Sequence, residues 1–330
     1  MNDFKSLTHF IHSHEKFILT VHETPDGDAL GSECAMYIAL REIGKEVLMF
    51  NADPTPDKYS YIEGADDICI LKNESQLPEN IKEYVLLILD TNDIHNIGQI
   101  SDIVLPRVDD FFIVDHHESD DDIILENHIE ESASSTCEIL FYLFQELSIP
   151  LTLPVAIALY TGIIYDTGSF IYPKTSANTF KIAHELVECG VNPNYIYRRI
   201  YESNSISALR LQSRVLSTLE LYYDQQVASQ TMTREIIAEC GAQYEEADTL
   251  INIPLKSERV MVSLFFKENE EGILRCSLRS KENINVAEIA QLYGGGGHKT
   301  AAGFKSIWPL ETIKEKVLEM LAKYFPEARQ

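Results

Sequence analysis

Basic residues are scarce. Lysine and arginine number 27 against 52 aspartates and glutamates, so the formal charge is −25 at pH 7 and the pI is near 4.7. Long duplex DNA and anionic membranes need an extended basic footprint, which excludes both as default partners. No CxxC pair occurs. Cys34, Cys69, Cys137, Cys189, Cys240 and Cys276 are scattered, which excludes a disulfide scaffold or thiolate metal site and implies buried thiols in a reducing cytoplasm. Long apolar runs are also missing. The longest is Val155 to Tyr165, and the N-terminal MNDFKSLTHFIHSHEK has no basic segment leading into an apolar one, so neither a membrane span nor an export signal is expected. Apart from Gly294 to Gly297 there is no low-complexity tract, and no internal repeat, which removes solenoid architectures.

What is present is a chain of 330 residues, 45% hydrophobic and 24% charged, enough for packed cores and more than one core usually holds. The first half alternates short apolar runs (FILTV at 17–21, EVLMF at 46–50, YVLLILD at 84–90, FFIVD at 111–115) with helical patterns such as Asp28 to Ile43. That rhythm predicts an α/β fold with a parallel sheet and helices on both faces. Helices follow at 153–165 and 176–189, and Ser135 to Glu138 reads as a capping box ahead of another. Gly190-Val191-Asn192-Pro193 stops the run. The expected division is a first domain over 1–192, a helical linker over 193–222 and a smaller α/β substrate-binding domain over 223–330.

Acids and histidines gather where the apolar strands end, which is where ligands collect in open parallel sheets. FILTV runs into His22, with Asp26 and Asp28 on the loop before a helix; YVLLILD ends in Asp90; FFIVD ends in Asp115, followed by His116 and His117; the helix at 153–165 runs into Asp166. Read singly, each is an ordinary strand-end or capping residue, and Asp28 is an N-cap candidate. Converging, several carboxylates would repel too strongly to stay ionised without cations. Mixed oxygen and imidazole donors without thiolate suit Mn²⁺, and there are donors enough for two ions, with Asp90 placed to bridge them at roughly 3.5–4 Å.

The tract Gly294, Gly295, Gly296, Gly297, His298, Lys299 fails both nucleotide-loop patterns, since His298 stands where a Walker loop needs glycine and Lys299 where the dinucleotide fingerprint ends. Consecutive glycines nevertheless expose backbone N–H groups. Residues 251–308 carry eight basic and six acidic residues, Arg279 among them, so an anion-recognising second domain is expected.

HETPDGDALGS at 22–32, LDTND at 89–93, DHH at 115–117 and YTGIIYDTGSF at 160–170 resemble the four motifs of the DHH phosphoesterase superfamily. RSK at 279–281, NVAEIA at 285–290 and GGGGHKTAAGF at 294–304 resemble its associated substrate-binding domain. The compact two-domain length is similar to the NrnA-type branch. The resemblance implies two Mn²⁺, replaceable by Mg²⁺ or Co²⁺: one on His22, Asp26 and Asp90, the other on Asp28, Asp90, His116 and Asp166. It implies that His117 meets the scissile phosphate, that Asp115 orients a metal-ligand histidine, and that Arg279, Gly294 to Gly297 and His298 bind the rest of the substrate. The activity implied is hydrolysis of short RNAs and linear dinucleotides to mononucleotides, and of 3′-phosphoadenosine-5′-phosphate to AMP, in the cytoplasm, by water activated between two metals. A homodimer is a family expectation. A cyclic-dinucleotide (c-di-AMP), pApA or pGpG phosphodiesterase would share every ligand, and a non-catalytic nucleotide-binding module would lack one.

Overall fold

A computed structural model describes residues 3–118, 127–269, 271–281 and 284–326. The chain divides into two compact units, Met1–Ser203 and Asn204–Gln330.

The first unit runs α1 (Lys5–Ser13), β1 (Lys16–Thr20), α2 (Gly27–Glu42), β2 (Glu46–Asn51), β3 (Cys69–Ile70), β4 (Val85–Leu89), α3 (Gln99–Ile103), β5 (Phe111–Asp115), β6 (Asn127–Ile129), α4 (Thr136–Glu146), α5 (Leu153–Asp166), α6 (Ala177–Glu188) and α7 (Pro193–Tyr201). Six parallel strands lie in the order β3-β2-β1-β4-β5-β6. The strands are continuous apolar runs because both sheet faces are covered. Phe17, Leu19, Leu87 and Phe112 join one core with α2, α4 and α5, while Ile18, Leu86, Ile88 and Ile113 join a second core with Ile100 of α3.

Strand order reverses between β1 and β4, and this switch point opens a crevice beyond their carboxyl ends. Helix α2 begins there and is buried almost all round. It packs against α5 at glycine distance: a Cβ on Gly31 would stand 2.6 Å from the Ala158 carbonyl oxygen.

The second unit runs α8 (Ile206–Leu216), β7 (Glu220–Tyr222), β8 (Val227–Met232), α9 (Arg234–Cys240), β9 (Val262–Glu268), β10 (Leu274–Ser280), α10 (Ala287–Leu292), β11 (Gly296–His298), β12 (Ala301–Ser306) and α11 (Leu310–Leu321). Its sheet has the order β11-β12-β10-β9-β8-β7 and is antiparallel except for β8 beside β9. Alternate residues feed two cores, so Leu264 and Phe266 pack with Val317 of α11 while Phe265 packs with Leu211 of α8.

Three expectations change. The stretch expected as one linker over 193–222 holds two helices and a strand: α7 packs on α5 in the first unit through Ile196 and Ile200, and α8 and β7 belong to the second. Of the cysteines expected to be buried, Cys69 is exposed and Cys189 only partly covered, though all six are free thiols. The end of the glycine tract is an edge strand, β11, paired with β12. Among the described residues no helix is long and apolar enough to cross a membrane.

Candidate active site

His22 follows β1, Asp90 directly follows β4, and Asp115 ends β5 with His116 next. Parallel pairing puts these ends side by side at the switch point. Helix α2 adds two carboxylates from its first turn. Asp26, not Asp28, is the N-cap: its Oδ1 accepts from the backbone N–H groups of Asp28 and Ala29 at 2.9 and 3.2 Å, leaving Oδ2 for other partners. Asp28 lies inside the helix, fully buried, and reaches the start of α4, where its oxygens accept from the N–H groups of Thr136 (2.6 Å) and Cys137 (3.1 Å). A helix N-terminus is a favourable place for a carboxylate. Ser135 caps α4 by accepting from the Glu138 N–H at 3.0 Å, whereas Glu138 turns to the Ser134 N–H at 3.2 Å, so the expected capping box is shifted by one residue.

The donor atoms form two groups that meet at Asp90. On one side, His22 Nε2 is 4.0 Å from Asp26 Oδ2 and 3.6 Å from Asp90 Oδ2. On the other, His116 Nε2 is 2.9 Å from Asp166 Oδ2, 3.6 Å from Asp90 Oδ1 and 3.8 Å from Asp28 Oδ2. Asp90 thus presents one oxygen to each group. It holds this pose with φ of 61°, a left-handed backbone conformation that aspartate tolerates better than most residues, and Thr136 donates its hydroxyl to Oδ1 at 2.9 Å.

The electrostatics show a cluster short of positive charge. Burial pushes the Asp28 carboxyl well above its ordinary value, reinforced by the charges of Asp90 and Asp166. Burial does the same at Asp90, aided by Asp26 and Asp166, and raises Asp26 as well, aided by Asp166. His116 is buried, yet neither ring nitrogen has a directed hydrogen bond. Buried carboxylates facing an imidazole nitrogen without a proton partner are the donor set of a divalent cation. The residues therefore fit metal ions, in the groups His22, Asp26, Asp90 and Asp28, His116, Asp166.

Beside them, His117 Nδ1 bonds to Asp115 Oδ1 at 2.7 Å. Burial raises the Asp115 carboxyl, but this bond and the charges of His117 and His116 outweigh it and hold Asp115 below its ordinary value. The same bond raises His117. Its ring is half-exposed, so Nε2 is available to a ligand.

In the second unit, register places Arg279 and His298 on one sheet face, flanking Ala301 across β10, β12 and β11 at roughly two strand spacings, about 9.6 Å. The glycines divide in role. The N–H groups of Gly294 and Gly295 bond to the carbonyls of Gln291 and Ala290, so these two are not the free donors expected of the tract. Gly295 is required sterically, since a Cβ there would meet the Gly303 carbonyl oxygen at 2.1 Å, whereas Gly296 faces open space.

A model of the DHH family N-terminal domain matches residues 16–163, and one of the DHHA1 domain matches residues 224–325. The chain is a DHH-family phosphoesterase. It is 28% identical over 319 residues to the bifunctional oligoribonuclease and PAP phosphatase NrnA of Thermus thermophilus, covering 94% of this chain and 90% of that one. Identity to the Bacillus subtilis protein of the same name is 27%, over 88% and 89% of the two chains. Among solved structures, an exopolyphosphatase-related protein from Bacteroides fragilis is similar with a TM-score of 0.88 and 29% identity, over 98% and 97% of the chains.

The structure adds partners in the DHH unit that sequence reasoning missed. Thr136 contacts both Asp28 and Asp90, and Lys174 donates to the His116 carbonyl at 2.8 Å. Neither ends a strand, so no local pattern marks them. In the DHHA1 unit, Ser263 lies in register with Arg279 and has a buried hydroxyl with no partner.

Gly162 of α5 sets the space behind the site, because a Cβ there would stand 2.3 Å from both Asp28 Oδ1 and Cys137 Sγ. Gly162→Ala is expected to destabilise the DHH unit by about 1–3 kcal/mol through overpacking and to displace Asp28. Denaturant unfolding with a parallel assay checks it; wild-type stability and turnover in the variant would show that α2 and α5 are looser than described.

Proposed function

We propose that the chain is a Mn²⁺-dependent cytoplasmic hydrolase that degrades short oligoribonucleotides and linear dinucleotides to mononucleotides and converts 3′-phosphoadenosine-5′-phosphate to AMP. The observation that carries this reading is Asp90, with one carboxylate oxygen turned to each of two donor groups. The names of the relatives above, which cover nearly the full length, support the substrate classes.

In this reading His22, Asp26 and Asp90 hold one metal, and Asp28, Asp90, His116 and Asp166 the other. Bound there, divalent cations would lower the pKa of water and polarise the phosphoryl group. The chain's own residues do the rest. Asp115 favours the protonated form of His117 and fixes its Nδ1, so that Nε2–H donates to a phosphoryl oxygen as negative charge develops. Thr136 and the N–H groups opening α4 fix Asp28 and Asp90. Arg279, with His298 on the same sheet face and the backbone beyond Gly295, offers cationic and N–H donors to the substrate's other phosphate or nucleoside. A short substrate needs only such local donors, which reconciles an anionic ligand with a chain of net charge −25.

Release of mononucleotide with Mn²⁺ tests this, comparing 3′-phosphoadenosine-5′-phosphate, a linear dinucleotide, a five-nucleotide RNA, a long RNA and c-di-AMP. The short linear RNAs and the bisphosphate should be preferred. Preference for the cyclic compound would move the chain to the cyclic-dinucleotide phosphodiesterases, and no turnover would make it a nucleotide-binding module.

A further inference from the structure

Lys58 lies on a single helical turn, Asp57–Tyr59, in the loop that leaves β2 at the carboxyl edge of the sheet. Its Nζ stands 4.8 Å from the centre of the Tyr59 ring and 5.8 Å from that of Tyr165. Those rings meet edge to face at 6.5 Å. Tyr165 precedes Asp166 and packs on the backbone between Asp26 and Asp28, since a Cβ on Gly27 would stand 2.7 Å from the Tyr165 Cβ. The platform under the ammonium is thus fixed to the turn that carries the carboxylates.

Among the described residues, Lys58 has no hydrogen bond or ion pair. Burial lowers its pKa, and the charge of Asp26 offsets part of that without a salt bridge forming. Tyr59 is fully buried with its hydroxyl also unpaired. A lysine kept only for solubility would extend into water, whereas this half-buried one gives up part of its hydration for two π faces, which orient an ammonium without neutralising it. A cation so held beside a phosphoesterase centre is prepared for an anion that arrives with the substrate.

We propose that Lys58 binds a non-bridging oxygen of the reacting phosphoryl group and favours terminal phosphomonoesters over internucleotide diesters. A terminal phosphate is close to dianionic at neutral pH and a diester monoanionic, so a fixed cation attracts the former more strongly. The inference rests on the proposed dual substrate range.

The test uses Mn²⁺-loaded wild type, Lys58→Met, which keeps the stem that packs on the tyrosines, and Lys58→Arg, which keeps the charge. Lys58→Met should lose about a hundredfold in kcat/KM on 3′-phosphoadenosine-5′-phosphate and about tenfold on a linear dinucleotide, with Lys58→Arg recovering most of both. Inorganic phosphate, titrated calorimetrically into the Mn²⁺-loaded proteins, should bind about tenfold more weakly to Lys58→Met, while Mn²⁺ affinity and thermal midpoint stay unchanged. Equal losses on the two substrates, unchanged phosphate binding, or an activity loss matched by weaker Mn²⁺ binding would overturn the proposal. If wild type hydrolyses neither nucleotide, the proposed function fails, and the phosphate titration still decides Lys58.

Discussion

Asp90→Asn should lower phosphoester hydrolysis by at least about a thousandfold while making the metal-free protein more stable. The two effects have one source. Asp90 faces both donor groups, and in the metal-free state burial and the charges of Asp26 and Asp166 disfavour its ionised form. Asparagine keeps the shape, can still accept the Thr136 hydroxyl, and tolerates the left-handed backbone at φ of 61°. It removes the repulsion and the metal donor together. Asp28→Asn should differ, since both Asp28 oxygens accept backbone N–H groups of α4 and an amide NH₂ turned toward an N–H leaves a buried donor unpaired. That variant should lose activity and stability alike. Thermal melts in chelator beside turnover assays in Mn²⁺ distinguish the pair; an Asp90→Asn protein that melts lower in chelator would refute the repulsion argument.

A second large effect is a pH dependence that metal reverses. In the metal-free fold Asp26, Asp28 and Asp90 have raised pKa values, and Glu33, fully buried on α2 itself, is pushed up to about 8. Raised carboxyls bind more protons folded than unfolded. Their stabilisation is complete below the unfolded value of about 4 and is lost as pH rises through the folded values, each tenfold gain in proton affinity on folding being worth about 1.4 kcal/mol. The metal-free protein should therefore be more stable at pH 5 than at pH 8. Divalent cations compete with those protons and bind better as pH rises, so in excess Mn²⁺ the site carboxyls should contribute the opposite slope. Glu33 bonds to Asn51 at 2.7 Å rather than to the cluster, and its share should persist. Denaturation midpoints at the two pH values, with chelator and with Mn²⁺, provide the check; parallel profiles would mean that the carboxyls are not the metal's binding site.

Much of this was legible in the sequence because two strong regularities coincide. Apolar runs buried on both faces announce parallel strands, and polar residues directly after them must meet at one sheet edge; hence His22, Asp90 and His116 converge though far apart in sequence. Asp26 and Asp28 follow from the helix that β1 feeds. The remainder had no local signature. Strands such as β3, β7 and β11 are two or three residues long at sheet edges, too short to show a period. The partition of 193–222 depends on which core each helix buries its apolar residues in. Gly295 looked like an anion donor and is instead demanded by the closeness of β12. Thr136 and Lys174 reach the site from a helix start and a loop, so only the fold brings them there.

The most direct test of the central claim is stepwise addition of Mn²⁺ to chelator-stripped protein while hydrolysis of 3′-phosphoadenosine-5′-phosphate and a linear dinucleotide is followed. The stripped protein should be inactive, turnover of both substrates should rise together and level off near two equivalents, and Asp90→Asn should stay silent throughout. Full turnover in the stripped protein, or an Asp90→Asn variant that Mn²⁺ restores to wild-type rate, would contradict a reaction carried by two metals that share Asp90.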